Sequence, residues 1–251
     1  MALEMKEWIA GRNPVYEALV AGRRQFFQLF LAKGMEEKGR ITDISKLARQ
    51  SHIPMEYVDR NQLNGLAENH QGVALQVSAY PYVDLGEIID LAHNRKELPF
   101  ILILDVLQDP QNFGNLIRSA EVFGIHGIII PSNRAVGVIP SVVHASSGAS
   151  EHMLISMNNL AQAIEALKQN DIWVVGLESN PSAQPIASIS LKGPLALVVG
   201  SEGEGLRELT RKSCDFLAFL PMSGKIESLN AAVAGSIALY LVFAARQAGG
   251  K

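Results

Sequence analysis

Three short segments hold most of the side chains that could do chemistry, and each follows an apolar run. The first, Asp105–Ala120, leaves Ile101–Leu104 through a proline turn and brings Asn112, Asn115 and Arg118 to the start of a helix. Asn115 and Arg118 are three residues apart and share a helical face. Such a pair can orient a polar or anionic substrate, and it is equally compatible with a polar cap and a surface arginine. The second segment, Val198–Leu206, reads VVGSEGEGL. Glycines at 200, 203 and 205 let backbone approach a ligand closely. The carboxylates of Glu202 and Glu204 would repel a phosphate, so the bend suits a nucleoside, hydroxyl-bearing or cationic ligand; a plain turn accounts for the glycines as well. The third, Leu220–Asn230, reads LPMSGKIESLN. Ser228 is placed to cap the final helix, with Asn230 in its first turn. Asparagine is a poor helix former, and a buried amide needs partners, which a ligand or a second site residue could supply.

These segments need a scaffold, and the hydrophobic pattern predicts an α/β fold in two parts. Residues 1–79 alternate short elements. Asn13-Pro14 opens a helix to Ala21, Phe26–Leu31 is a strand, and Ile41–Gln50 has helical spacing. Met55–Val58 and Gly72–Ala79 are strands around a short helix, Asn61–Ala67. Residues 80–97 read as a linker, with prolines at 81 and 99 around an amphipathic helix, Leu85–Ala92. From residue 98 to 251, continuous apolar strands (Ile101–Leu104, Gly127–Ile130, Ile172–Gly176, Leu195–Gly200 and a short Phe216–Leu220) alternate with helices at Gly114–Phe123, Leu160–Lys168 and Gly205–Lys212. A long helix, Leu229–Ala245, ends the chain. This is the pattern of a buried, mostly parallel sheet, whose ligands sit at strand-terminal loops.

Composition narrows the function classes. The 251 residues are 48% hydrophobic and 19% charged, which excludes a disordered chain. A net charge of -3 excludes a protein that holds nucleic acid by bulk charge alone; residues 1–76 carry net +1 and residues 77–251 net -4. The single cysteine, Cys214, excludes an intrachain disulfide, suits a reducing cytoplasm, and reads as a small buried hydrophobe. The N-terminus has no apolar core of a signal peptide, and Ala231–Ala245 is too short for a membrane span, so no membrane association is expected. The six histidines show no metal-ligand spacing, so no metal is expected, and His144 with Ser146–Ser150 reads as ordinary structure. Neither standard glycine-rich nucleotide fingerprint nor a serine nucleophile elbow occurs, which argues against a dehydrogenase, an ATPase or a serine hydrolase.

Taken together and in order, DPQNFGNLIRSAEVFG (109–124), LVVGSEGEGL (197–206) and LPMSGKIESLNAAVA (220–234) resemble the three signature motifs of the SpoU/TrmH ribose 2'-O-methyltransferases. The likeness spans roughly residues 98–248. GRNPVYEAL (11–19) and HQGVAL (70–75) are similar to the RNA-binding N-terminal domain of the RlmB-type subgroup, whose target is a guanosine ribose in the peptidyl-transferase region of 23S ribosomal RNA.

The resemblance implies a SPOUT-type domain with a deep trefoil knot, a small L30e-like N-terminal domain, a homodimer, and S-adenosylmethionine as cofactor. It assigns catalysis to Asn112, Arg118, Glu202, Ser228 and Asn230, with Arg118 supplied near the dimer interface. Cofactor contacts fall to Val199, Gly200, Ser201, Glu202, Gly203, Leu220, Ile226 and Leu229. Arg12, Asn13, His70 and Gln71 become candidate RNA contacts, although solvated surface and caps explain them equally. Arginine as a residue type stays protonated, so a basic role for Arg118 needs an adjacent RNA phosphate; the alternative is that it orients that phosphate and polarises the hydroxyl. Other functions compatible with the sequence are a family member acting on transfer RNA or another ribosomal RNA site, and a non-catalytic RNA-binding or ribosome-assembly protein.

Overall fold

The computed structural model describes residues 6–67, 69–133, 135–201, 203–225 and 228–248. Two compact units emerge. The first comprises the chain up to Pro81 together with Gly137–His152; the second comprises Tyr82–Val136 and the chain from Met153 onward.

The first unit begins with β1 (Lys6–Ala10), α1 (Arg12–Ala21), β2 (Phe26–Ala32), α2 (Arg40–Gln50), β3 (Met55–Val58), α3 (Arg60–Asn64) and β4 (Val73–Ser78). Its four strands form a mixed sheet in the order β1-β4-β2-β3. Strand β1 escapes the sequence pattern because only Ile9 and Ala10 of its five residues are buried. The other elements fall where hydrophobic spacing puts them.

In the second unit the chain continues through α4 (Leu85–Arg95), β5 (Phe100–Asp105), α5 (Pro110–Val122) and β6 (Gly127–Pro131). The next helix, α6 (Pro140–Ala145), belongs to the first unit with the single turn Ala149–His152. Then follow β7 (Ile155–Asn158), α7 (Leu160–Lys168), β8 (Trp173–Leu177), β9 (Gln184–Pro185), β10 (Leu195–Gly200), α8 (Glu208–Ser213), β11 (Phe216–Phe219) and α9 (Ala231–Gln247). The sheet order is β7-β6-β5-β10-β8-β11-β9, and every pairing is parallel. Each residue of β5, β6 and β10 is buried, which is why these strands read as uninterrupted apolar runs.

The stretch 80–97, expected as a linker, is built into the second unit. Helix α4 carries a capping box, with the Asp84 and Glu87 side chains each bonding the other residue's backbone. It sends Ile88 and Ile89 into the core with Ile101, Ile103 and Ile129. Two apolar residues a helical turn from a satisfied cap make a core helix, whatever the flanking prolines suggest.

Equally unforeseen is the return of Gly137–His152 to the first unit. An arginine and a glutamate explain it. Arg24 Nε and Nη2 donate to the two carboxylate oxygens of Glu151 at 2.8 and 2.9 Å, and both side chains are 1% exposed. Tyr80 adds a hydroxyl bond to the Ser150 carbonyl, and burial pushes its phenol up to about 12.

Candidate active site

The parallel sheet sets out its C-terminal strand ends side by side, and β5, β10 and β11 deliver the segments of interest. A cleft of about 580 Å³ opens there, lined by Val199, Gly200, Ser201, Gly203, Glu204 and Gly205 from the loop after β10. Leu177, Glu178 and Ser179 line it from the end of β8, and Phe219, Leu220, Met222, Ser228, Leu229 and Asn230 from the segment joining β11 to α9.

The glycine loop is held from three sides. Ser201 and Gly205 exchange backbone hydrogen bonds at 3.1 and 3.2 Å, folding the loop back on itself. A Cβ on Gly200 would lie 2.3 Å from the Gly205 carbonyl carbon, so only glycine lets the two arms close. Beyond the loop, the fully buried Asp105 at the end of β5 accepts from Arg207 N at 2.9 Å and Arg207 Nε at 2.6 Å. Glu178 Oε2 accepts from Arg211 Nε at 2.7 Å and Asn180 Nδ2 at 2.8 Å, while Arg211 Nη2 donates to the Leu206 carbonyl at 3.1 Å. Charge-assisted bonds of this length are among the stronger ones a protein makes.

On the opposite wall, two helix starts meet. Asp109 caps α5, accepting from Gln111 N and Asn112 N, with Pro110 at the first helical position. Asn230 caps α9, its Oδ1 accepting from Ala232 N and Val233 N. The Asn230 amide then donates through Nδ2 to Asn112 Oδ1 at 3.0 Å. One asparagine side chain therefore both starts the last helix and bonds the first segment.

A cofactor with a nucleoside and a cationic arm fits this cleft. Its described lining holds two carboxylates, Glu178 and Glu204, no lysine or arginine, and apolar patches from Val199, Leu220 and Leu229. Among the described residues no cluster of three or more His, Cys, Asp or Glu could hold a metal, and no helix is long and apolar enough to cross a membrane.

Residues 99–240 match the SpoU rRNA methylase family, and residues 8–83 match the substrate-binding domain of RNA 2'-O ribose methyltransferases. A Bacillus subtilis protein, YacO, placed in the TrmH family of tRNA/rRNA methyltransferases, is 40% identical over 245 residues, covering 97% of either chain. The chain belongs to the SpoU/TrmH family. A Staphylococcus saprophyticus protein placed in the TrmH family is 38% identical over 95% of each chain. Among solved structures, the SpoU methyltransferase AviRb of Streptomyces viridochromogenes, in complex with AdoMet, superposes with a TM-score of 0.81 at 23% identity, covering 97% of this chain and 92% of that one. An AdoMet-bound rRNA methyltransferase from Sinorhizobium meliloti gives a TM-score of 0.77 at 22% identity, covering 94% and 86%. At those identities the likeness concerns the fold.

Within the SpoU/TrmH frame, the predicted residues separate into groups. Val199, Gly200, Ser201, Gly203, Leu220, Ser228, Leu229 and Asn230 share the cleft, and Asn112 reaches it through Asn230. Glu202 and Ile226 lie outside the described residues. Arg118 is exposed on α5 and does not line the cleft. Two local expectations change. Asn230 rather than Ser228 caps α9, and it is exposed; the buried amide of the pair is Asn112. Helix α5 starts at Pro110, one turn before Gly114, because Asp109 and Pro110 begin it and the glycine packs inside.

Cys214 is held by desolvation as a neutral thiol, its ionisation pushed up to about 12, and its sulfur lies 3.3 Å from the Thr210 carbonyl. It takes no part in the site. Sequence reasoning missed Glu178 and Ser179, although the rule that ligands gather at strand ends applies to β8 as it does to β10.

In the first unit, Arg12, His70 and Gln71 line a separate concavity of about 530 Å³, joined by Met35, Arg60 and Gly72. Asn13 is exposed beside it and outside its lining. His144 lies on α6, and Ser146 and Ser150 are buried in hydrogen bonds to each other, consistent with structural roles.

Proposed function

We propose that this SpoU/TrmH enzyme methylates the ribose 2'-oxygen of a guanosine in the peptidyl-transferase region of 23S ribosomal RNA, using S-adenosylmethionine. The observation that carries the reading is a cleft built from two of the segments, whose described lining holds no lysine or arginine, and joined to the third by the Asn230–Asn112 hydrogen bond. The narrower assignment to ribosomal RNA rests on the resemblance of GRNPVYEAL and HQGVAL to the 23S-directed subgroup.

When bound, the cofactor supplies an electrophilic methyl group on a sulfonium. The backbone of Val199–Gly203, with Leu220, Ile226 and Leu229, would hold its nucleoside and methionine parts. Asn112, Ser228 and Asn230 would orient polar groups at the opening, and Glu202 would position a partner or RNA group. Arg118 would bind an RNA phosphate next to the target and polarise the 2'-hydroxyl, whose proton leaves through water.

Arg118 stands on α5 outside its own cleft, so the reading includes a homodimer in which a second copy supplies it. Support comes from an apolar stripe on α9, where Val233, Ile237 and Tyr240 at helical spacing are 47, 40 and 53% exposed. Nearby Val122 on α5 is 63% exposed, a surface that a partner would cover. A trefoil knot in the second unit, an L30e-like fold for the first, RNA affinity supplied by Arg12, Asn13, His70 and Gln71, and a cytoplasmic location complete the reading.

The test is methyl transfer from labelled S-adenosylmethionine to a 23S fragment containing the peptidyl-transferase region and, separately, to bulk transfer RNA, with the label mapped to nucleotide and ribose. Label on a guanosine 2'-oxygen of the ribosomal fragment alone is the expected result. Label on transfer RNA keeps the chemistry and replaces the substrate.

A further inference from the structure

The concavity of the first unit shows what kind of contact it makes. Its described lining is two arginines, a methionine, a histidine, a glutamine and a glycine, with no acidic residue and no Phe, Tyr or Trp. Several other cations of the unit have partners: Lys33 with Asp59, Lys38 with Glu36, Arg49 with Glu37 and Arg24 with Glu151, while Arg23 donates to carbonyls and Arg40 and Lys6 lie over the Tyr16 and Phe27 rings. Among the described residues Arg12 and Arg60 make no such ion pair, and both are exposed. Arg12 is nevertheless held. Its Nε donates to the Gln71 carbonyl at 3.3 Å, its backbone N–H donates to Gln71 Oε1 at 3.1 Å, and among the described residues its two terminal nitrogens bond nothing.

His70 borders the concavity, is mostly buried and keeps this loop in shape. Its ring is 8% exposed. Nδ1 accepts from Gly72 N at 2.9 Å, which leaves the proton on Nε2, 2.9 Å from Asn64 Oδ1. Both ring nitrogens are thus spent inside the chain, and the loop they pin passes through two left-handed residues, Gln71 at φ 51° and Gly72 at φ 85°. A Cβ on Gly72 would also lie 2.5 Å from the Met35 sulfur, which would have to move aside, and the φ of 85° itself favours glycine. Burial and the Arg60 charge both keep the imidazole neutral.

We propose that this concavity is a phosphodiester-binding subsite for RNA, in which Arg12 and Arg60 grip one backbone phosphate, Gln71 helps to place it, and His70 contributes as a positioning residue whose ring nitrogens are committed to Gly72 and Asn64. It deepens the reading of the first unit as substrate-binding and rests on it. Guanidinium forks match phosphate oxygens. The described lining holds no Phe, Tyr or Trp, and the one imidazole, His70, is 8% exposed, which leaves little aromatic face for stacking a base. The subsite therefore fixes register without reading sequence, and the target nucleotide is recognised elsewhere.

The experiment measures binding of the full-length protein to a labelled uridine oligonucleotide, and to a mixed-sequence one, across a salt series from about 50 to 200 mM. Arg12→Gln and Arg60→Gln should each weaken binding equally for both RNAs. Each should make the slope of log K against log salt shallower by about 0.7, the share of one single-strand phosphate contact. Binding of S-adenosylhomocysteine, read by calorimetry, should not change. His70→Ala should reproduce the arginine loss, and His70→Asn, which keeps an acceptor for Gly72 N–H, should recover part of it. An unchanged slope, or a loss confined to one RNA sequence, overturns the subsite. If Lys46→Glu and Arg49→Glu then weaken binding, the first unit still holds RNA by another surface. If no variant of the first unit matters, the substrate-binding reading itself falls.

Discussion

One concavity in each unit carries the proposed functions, and the two are built by opposite means. In the second unit the cleft is assembled from backbone: a glycine hairpin, two helix caps and the ends of parallel strands, tied by Asp105–Arg207 and Glu178–Arg211. Its described lining carries carboxylates and no cations. In the first unit the concavity is assembled from side chains, with two exposed guanidiniums over a loop pinned by one imidazole. A small ligand with many distinct groups is best discriminated by a rigid, shaped wall. A polyanion is held by charges that tolerate variation in its sequence. Substitutions should therefore act steeply and specifically in one region, and gradually and salt-dependently in the other.

The largest expected effect lies in the glycine hairpin. A methyl at Gly200 would sit 2.3 Å from a backbone carbon and 2.4 Å from a carbonyl oxygen, neither of which can turn aside as a side chain could. Gly200→Ala should cost at least about 4 kcal/mol of cofactor binding, roughly a thousandfold. Gly203→Ala is the control. Its φ of 90° is strained for alanine, but nothing lies within 4 Å, so about 1 kcal/mol is expected. Calorimetric titration with S-adenosylhomocysteine checks both, and equal losses would mean that loop strain, not close approach, shapes the cleft.

Next in size is the buried ion pair of the first unit. Glu151→Gln leaves Arg24, 1% exposed, with Glu7 at 3.2 Å as its remaining carboxylate. Unfolding of the first unit by urea should become easier by about 3 kcal/mol, the usual cost of breaking a buried pair. Cofactor affinity should stay within error. A matching loss of affinity would show that the two regions are not independent.

Much of this arrangement is legible in the sequence, and the parts that are not have physical reasons. Strands β5, β6 and β10 are buried on both faces, so they announce themselves as apolar runs. The glycines at 200, 203 and 205 predict close approach, and the structure finds it at Gly200, against Gly205, and at Gly205, against Glu178, but not at Gly203, which has open space beside it. Asn112 and Asn230 are 118 positions apart, and no local pattern says that their amides meet. Arg60 has no local signal; it begins α3 after a capping box at Asp59, which spacing reads as a surface helix start. The return of Gly137–His152 to the first unit depends on Glu151 finding Arg24 across 127 residues, a pairing invisible to periodicity. Exposure misled at Asn230, where poor helix propensity suggested a buried amide and the actual explanation is a cap.

That cap allows a finer separation inside the cleft. Asn230→Asp keeps an oxygen to accept from Ala232 N and Val233 N, and an anion suits a helix N-terminus. It loses the N–H that reaches Asn112 Oδ1 and sets two acceptors against each other. Stability should change by less than about 1 kcal/mol, while methyl transfer falls roughly tenfold in kcat with KM for the cofactor nearly constant. Asn230→Ala, which removes both functions, should lose stability as well. If the aspartate variant kept full kcat, the amide pair would be only a helix start.

The smallest effect compares the two regions through their histidines, which use the same device. His70 and His126 each accept a backbone N–H at Nδ1, from Gly72 and Phe100, and turn Nε2 toward a side-chain oxygen, of Asn64 and Glu97. Burial lowers both below 6.5, so the folded state binds fewer protons than the unfolded chain in mildly acid solution. By linkage, the stability each contributes is complete above 6.5 and is lost as pH falls from there through the depressed folded value. The second influence differs in sign. Arg60 depresses His70 further, whereas the Glu97 carboxylate opposes the burial of His126. Imidazole titrations followed by nuclear magnetic resonance should show His70 rising in Arg60→Gln and His126 falling in Glu97→Gln, each leaving the other ring unmoved. A His70 that ignores Arg60 would place that guanidinium away from the loop, and with it the charge asymmetry between the two concavities would weaken.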